Sequence, residues 1–271
     1  MSDPWAPARP RRLAVAIGTA AAALLLVPSP AVSAPETPVT AVNGSSLGYW
    51  ADDISLFGGA QPDTGPTPTA TLNSSASNSP QAGAAPTGLV RYGPATLFSS
   101  DAIAVSASGN KGPGGFAAST ANIQHVNMAV TQPTTGSEIF TAASVASSCT
   151  ATASGLSRSA TITAGSLYTD SGWDDGDAVY PEPASEAGGL AEHDPVLVSI
   201  PTSPAANLEH TGHIHLAANS TDSWRIVFNE QVTNPDGSST VNALHEYFIG
   251  PILLGHMSLG RSTCGVTLAG G

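Results

Sequence analysis

In the run TAASVASSCTATAS, Thr141 to Ser154, small hydroxyl residues alternate with Ala, Val and Cys. A period of two places alternate side chains on opposite faces, so this stretch reads as a long pleated strand in a sheet with close neighbours. Similar signals recur along the chain, each closed by turn residues. They fall in SSLGYWADDISLF, LVRYGPATLFSSDAIAVSAS, GFAASTANIQHVNMAV, SEIFTAASVASSCTATAS, RSATITAGSLYT, PVLVSIP, LEHTGHIHLAA, SWRIVFNEQVTN, STVNALHEYFIG and HMSLGRSTCGVTL. NPDGSS, from Asn234, joins two such runs through an Asp-Gly pair, a strong hairpin signal. No long stretch carries apolar residues at helical spacing, and Glu182–Asp194 holds a turn or two of helix at most. The expectation is an all-β domain of about nine to ten strands, an antiparallel sandwich or an elongated sheet.

The first 34 residues read differently. Arg9, Arg11 and Arg12 precede the apolar run LAVAIGTAAAALLLV, which small residues and prolines close, as in a secretion signal cleaved after Ala31 or Ala34. The run is too short for the ~20 residues that span a bilayer, so no membrane anchor is expected after cleavage. Residues 35–47 read as a linker and 48–271 as one β domain. Within it, residues 60–88 form a loop rich in Pro, Ser and Ala, and residues 170–194 an acidic insertion.

Without the signal, five basic residues (Arg91, Lys111, Arg158, Arg225 and Arg261) face nineteen acidic ones, a net charge near −14. That field repels polyanions, which excludes nucleic acid as a partner and favours solubility outside the cell. In that oxidising space Cys149 and Cys264 are expected to pair. The bond closes a 115-residue loop, for which chain entropy gives on the order of 4–5 kcal/mol. Neither cysteine has the basic or helix-start setting of a nucleophile.

Several residue groups suggest chemistry. His210, His213 and His215 lie within six residues, and in a strand His213 and His215 share a face, the geometry of an HxH zinc pair. A third ligand is needed, with His210, His245 or Glu246 as choices. Asp170, Asp174, Asp175 and Asp177 offer oxygen ligands for calcium, but an EF-hand alignment puts Ser171 and Trp173 at the first and third loop positions and fails. Glu230 and Glu246 are the carboxylates a glycosidase could pair. GSSLG, Gly44 to Gly48, matches a nucleophile-elbow pattern but precedes no helix. Glu230, Asn242 and His245 form a polar group that becomes a site only if the strands bring them together. No cofactor is expected, zinc and calcium being the ions these groups suggest.

SSCTATASG, IPTSPAANLE, FNEQVTNPDGSSTVNALHEYFIGP and STCGV resemble the choice-of-anchor P family of secreted actinobacterial proteins. The likeness runs from about Gly48 to Val266. It is most specific at Asn229–Gln231 and Val241–His245, with a weaker echo in GNKGPGG from Gly109. It implies export and carries no established activity. Members commonly end in an anchoring tail, whereas only GVTLAGG follows Cys264 here. The reading is a secreted or cell-wall-associated structural or binding module whose partner is a cell-wall or extracellular surface component. The competing reading is an extracellular hydrolase, using metal at His213 and His215 or a pair of carboxylates.

Overall fold

The computed structural model describes residues 36–72, 80–93, 95–132, 135–172, 197–217 and 220–270. The signal segment, the tip of the 60–88 loop and most of the acidic insertion, including Asp174, Asp175 and Asp177, lie outside them. In chain order the strands are β1 (Val39–Leu56), β2 (Gly59–Ala60), β3 (Thr64–Thr71), β4 (Gln81–Ala85), β5 (Gly88–Tyr92), β6 (Ala95–Ser100) and β7 (Ile103–Asn110). There follow β8 (Phe116–Gln132), β9 (Thr135–Thr152), β10 (Gly155–Thr163), β11 (Gly165–Tyr168), β12 (Asp170–Gly172) and β13 (Leu197–Ile200). The chain ends with β14 (Leu208–Ala217), β15 (Ser220–Thr233), β16 (Ser239–Ile249) and β17 (Leu253–Leu268). No helix occurs among the described residues.

The strands make two sheets. One runs β12-β14-β15-β16-β17-β1-β2, with β3 also on β1; the other runs β13-β11-β9-β8-β6-β5, with β10, β7 and β4 attached. Every pairing is antiparallel except β12 with β14. Their inner faces pack as a sandwich: Tyr49 meets Phe98 at 5.1 Å and Phe140 meets Phe228 at 5.3 Å between ring centroids. Cys149 of β9 is bonded to Cys264 of β17, so the disulfide joins the two sheets. Hydroxyls between the sheets are satisfied in place, Ser147 with Ser262 at 2.7 Å and Ser119 donating to the Thr263 carbonyl at 2.8 Å.

The alternation in Thr141–Ser154 is realised in β9 and the turn that follows it. Val145, Ser147, Cys149 and Ala151 are buried inward. Ser144, Ala146, Ser148 and Thr150 line the outer face, where Ser148 meets Ser159 of β10 at 2.9 Å. The Asp-Gly hairpin is present as well, with Thr233 opposite Ser239 and Asn234 and Ser238 bonded across the turn.

Three expectations need correction. Among the described residues seventeen strands are present where nine to ten were expected: the turns after Tyr92, Ser100 and Thr163 divide two runs into five strands, and β2, β3, β4 and β12 lie outside the runs read as strands. Residues 39–47 are no linker. They form the first half of β1 and pair with β17 from Val39 to Leu47, so GSSLG lies inside a strand and cannot make an elbow. The 60–88 segment carries β3 and β4, whose small residues fit against β1 and β7.

Candidate functional site

Strict alternation along β15 would put Glu230 on the core side with Trp224, Ile226 and Phe228, which are buried. It does not go there, because the sheet carries a row of reversals. The pairs Phe228↔Leu244 and Glu230↔Asn242 bracket Asn229 and Ala243. Leu244↔Leu259 and Asn242↔Arg261 bracket Ala243 and Gly260, and Tyr49↔Leu259 with Leu47↔Arg261 bracket Gly48. Thus Asn229, Ala243, Gly260 and Gly48 lie side by side across four strands. Asn229 has φ +50° and Gly260 φ +61°, a left-handed conformation that turns the chain over without adding a residue. The inner face is set by Leu244, Glu246 and Phe248 beyond the row, and by Val241 before it. In β17 it passes from Met257 and Leu259 to Ser262 and Cys264. Gly48 has no room for a side chain, since a Cβ there would stand 2.6–2.7 Å from Ile103, Pro68 and the Thr67 carbonyl.

The reversal gathers polar residues from both sides of the row on the outer face. Asn242 Nδ2 donates to Glu230 Oε2 at 2.5 Å, His245 Nδ1 meets the same oxygen at 2.7 Å, and Tyr247 Oη donates to Oε1 at 2.8 Å. Arg261 Nε donates to Asn242 Oδ1 at 2.8 Å, and its Nη2 to Ser258 Oγ at 2.9 Å. His245 Nε2 lies 3.3 Å from His256 Nδ1, and His256 Nε2 lies 4.0 Å from Asp52 Oδ2. Two arginines flank the group: Arg225 stacks 4.2 Å over the Tyr247 ring, and Arg261 5.2 Å over Trp50. Glu230 and His245 are sheltered, with side chains 14% and 10% exposed, while His256 at 28% marks the open end.

This packing fixes protonation. Burial alone would raise the Glu230 carboxyl, but the hydrogen bonds and charge of His245, with those of Asn242 and Tyr247, hold it down at about 2. Burial and the bond to Glu230 push the Tyr247 phenol up to about 12. Burial, then the neighbouring His245, lowers His256. Glu230 is therefore a permanent acceptor above strongly acid pH.

Glu230, Asn242 and His245 are thus brought together, although Asn242 and His245 bond to the carboxylate and not to backbone groups. Glu230 and Glu246 are not: Glu246 faces the core between Ile226 and Met257, fully buried, with both oxygens unpartnered. The glycosidase pair is lost for that reason, since the two carboxylates point to opposite faces of one sheet.

The histidine strand also divides. His210 turns toward the core side, edge-on to Phe228 at 6.1 Å, while Gly212 is buried and His213 exposed on the outer face. His210 therefore cannot complete a site with His213. His245 is held by Glu230 and His256, and Glu246 is in the core, so neither of the other expected third ligands reaches His213. The side chains of His215 and Asp170 lie outside the described residues. Among the described residues, the metal-type ligands that converge are Asp52, Asp53 and His256, whose ligand atoms lie within 4.8 Å of one another.

Sequence reasoning missed Trp50, Asp52, Asp53, Tyr247, His256 and Arg261. The usable signal was the register of a hairpin: NPDGSS fixes Glu230 opposite Asn242, and Tyr247 follows His245 by one strand period. Comparison of the chain with protein-family models, with curated proteins and with solved structures gives no match.

Proposed function

We propose that this chain is a secreted, cell-wall-associated binding module without catalytic activity, related to the choice-of-anchor P proteins, and that it recognises a hydroxyl-rich surface polymer through the outer face of β15, β16, β17 and β1. The observation that carries the reading is the occupation of Glu230. All its bonds go to Asn242, His245 and Tyr247, so the carboxylate is spent on holding side chains in position. Among the described residues no hydroxyl or thiol stands against the His245 nitrogens as a nucleophile. Ser258, opposite His245 on β17, is buried and bonded to Arg261.

A rigid set of donors and acceptors beside aromatic rings suits a ligand with many hydroxyl groups. Ile249 and Leu254, half exposed and paired across the β16–β17 hairpin, extend the same face with apolar surface. Two of the five basic residues outside the signal segment, Arg225 and Arg261, border it, which favours a polymer that also carries anionic groups. Export as read from the first 34 residues and the disulfide between the sheets agree with work outside the cell.

Co-sedimentation of the purified protein with isolated cell walls tests the reading. Binding is expected, with at least tenfold weakening in the Trp50→Ala, Arg225→Ala double variant. Absence of sedimentation ends it. Release of reducing ends from the walls that disappears in Glu230→Gln would put a hydrolase in its place.

A further inference from the structure

We propose that Asp52, Asp53 and His256 bind a divalent transition-metal ion, for which Zn2+ is the first probe, and that Glu230 and His245 act behind them to aim the His256 imidazole. The inference goes beyond the polymer-binding reading and does not depend on it.

The geometry comes first. The three ligand atoms lie within 4.8 Å of one another, and His256 Nε2 stands 4.0 Å from Asp52 Oδ2. Around a tetrahedral ion with bonds of about 2.0–2.2 Å, neighbouring ligand atoms are about 3.4 Å apart. The set must therefore draw in by roughly an ångström. Asp53 is exposed, at a register irregularity between Asp52 and Ser55.

The second observation lies outside the ligand set. An ionised Glu230 can only accept, so His245 Nδ1 must donate to it. With both imidazoles neutral, the form in which histidine ligates a metal, His245 presents the lone pair of Nε2 and His256 Nδ1 donates to that nitrogen at 3.3 Å. The tautomers follow from the bonding pattern. They leave His256 Nε2 unprotonated and turned toward Asp52, so two acceptors face each other across 4.0 Å. Asp53 adds a second carboxylate to the same set. An ion placed there turns these mutual repulsions into bonds. A carboxylate holding a histidine chain from behind is how ligating imidazoles are commonly oriented. One imidazole nitrogen with carboxylate oxygens suits a borderline transition ion better than calcium or magnesium, which take oxygen ligands.

Calorimetric titration of the purified, disulfide-bonded protein with zinc chloride at neutral pH tests the site. One ion per chain is expected. His256→Gln and the exposed substitution Asp53→Asn should each weaken binding at least tenfold, and Glu230→Gln by roughly 10–100-fold through the imidazole it aims. Thermal melts identify any variant that has unfolded, and Asp53→Asn keeps the test decisive should the buried ones fail. His213→Ala is expected to leave the isotherm unchanged. Absence of binding, binding indifferent to both His256→Gln and Asp53→Asn, or binding lost in His213→Ala overturns the proposal. A calcium isotherm as tight as that for zinc and unaffected by His256→Gln overturns the choice of a transition ion.

Discussion

Glu230 and Glu246 sit on paired strands of one sheet, yet their surroundings are opposite. Glu230, on the outer face, receives hydrogen bonds from three side chains and is held ionised at about 2. Glu246, on the core face, is fully buried without a partner for either oxygen, and burial drives its carboxyl well above the ordinary 4.5. The nearby indole nitrogen of Trp224, diagonal to it across the strand pair, is also unpartnered. A carboxylate thus contributes stability where donors converge on it and costs stability where the same sheet turns it inward without them.

Removing the bonded carboxylate should have the largest effect. Glu230→Ala leaves Asn242, His245 and Tyr247 without their acceptor in a sheltered position, and a loss of about 3–4 kcal/mol is expected. Urea unfolding, read as a fall in midpoint at constant slope, checks it. The core carboxyl should respond in the opposite direction. Glu246→Leu replaces an unpartnered acid with apolar volume between Ile226 and Met257, and a gain of about 1–3 kcal/mol is expected at neutral pH. A loss there would mean that Glu246 has a partner after all.

The pH dependence separates the two further. Glu230 has a folded value near 2 against 4.5, so its contribution is complete above 4.5 and is lost as pH falls toward 2. At full size that is about 3 kcal/mol. Glu246 has a raised folded value, so its proton favours the fold below 4.5 and stability declines as pH climbs above it. Melting curves across pH should show Glu230→Gln losing only the acid-side slope and Glu246→Leu only the slope above 4.5.

The row at Gly48, Ala243, Gly260 and Asn229 decides which residues reach the outer cluster, and it explains how far the sequence could be read. Period-two patterning is enough for β9 from Val145 to Ala151, because the strand buries every second residue there, and the pairing of Cys149 with Cys264 follows from there being two cysteines. The same rule fails in β15, where Asn229 adopts φ +50°. Asparagine tolerates that conformation without demanding it, so its presence in NEQ does not announce a reversal. Asp52 and His256 were invisible for another reason: they are 204 residues apart and become neighbours only through the long β1–β17 register. Gly260→Ala tests the row itself. A Cβ in the left-handed conformation costs about 1–2 kcal/mol, and at 3.2 Å from the Ala243 Cβ it also presses on the adjoining strand. The loss should accompany changed His245 chemical shifts; a stability loss with those shifts intact would detach the row from the cluster.

The smallest change expected to register is Tyr247→Phe. It removes one donor from Glu230 while leaving the ring between Arg225 and His245, which lie 4.2 Å away on either measure, guanidinium to centroid and centroid to centroid. Loss of a single bond to a charged acceptor should cost about 1 kcal/mol. Because the phenol helps to hold the Glu230 carboxyl down, its removal should move that value upward from about 2. The acid-side loss of stability then ends at a higher pH than in the parent protein, while the slope above 4.5 that belongs to Glu246 stays as it was. Melts of the two proteins through the acid range make the comparison directly, and coincident acid limbs would show that Asn242 and His245 suffice to hold the carboxylate.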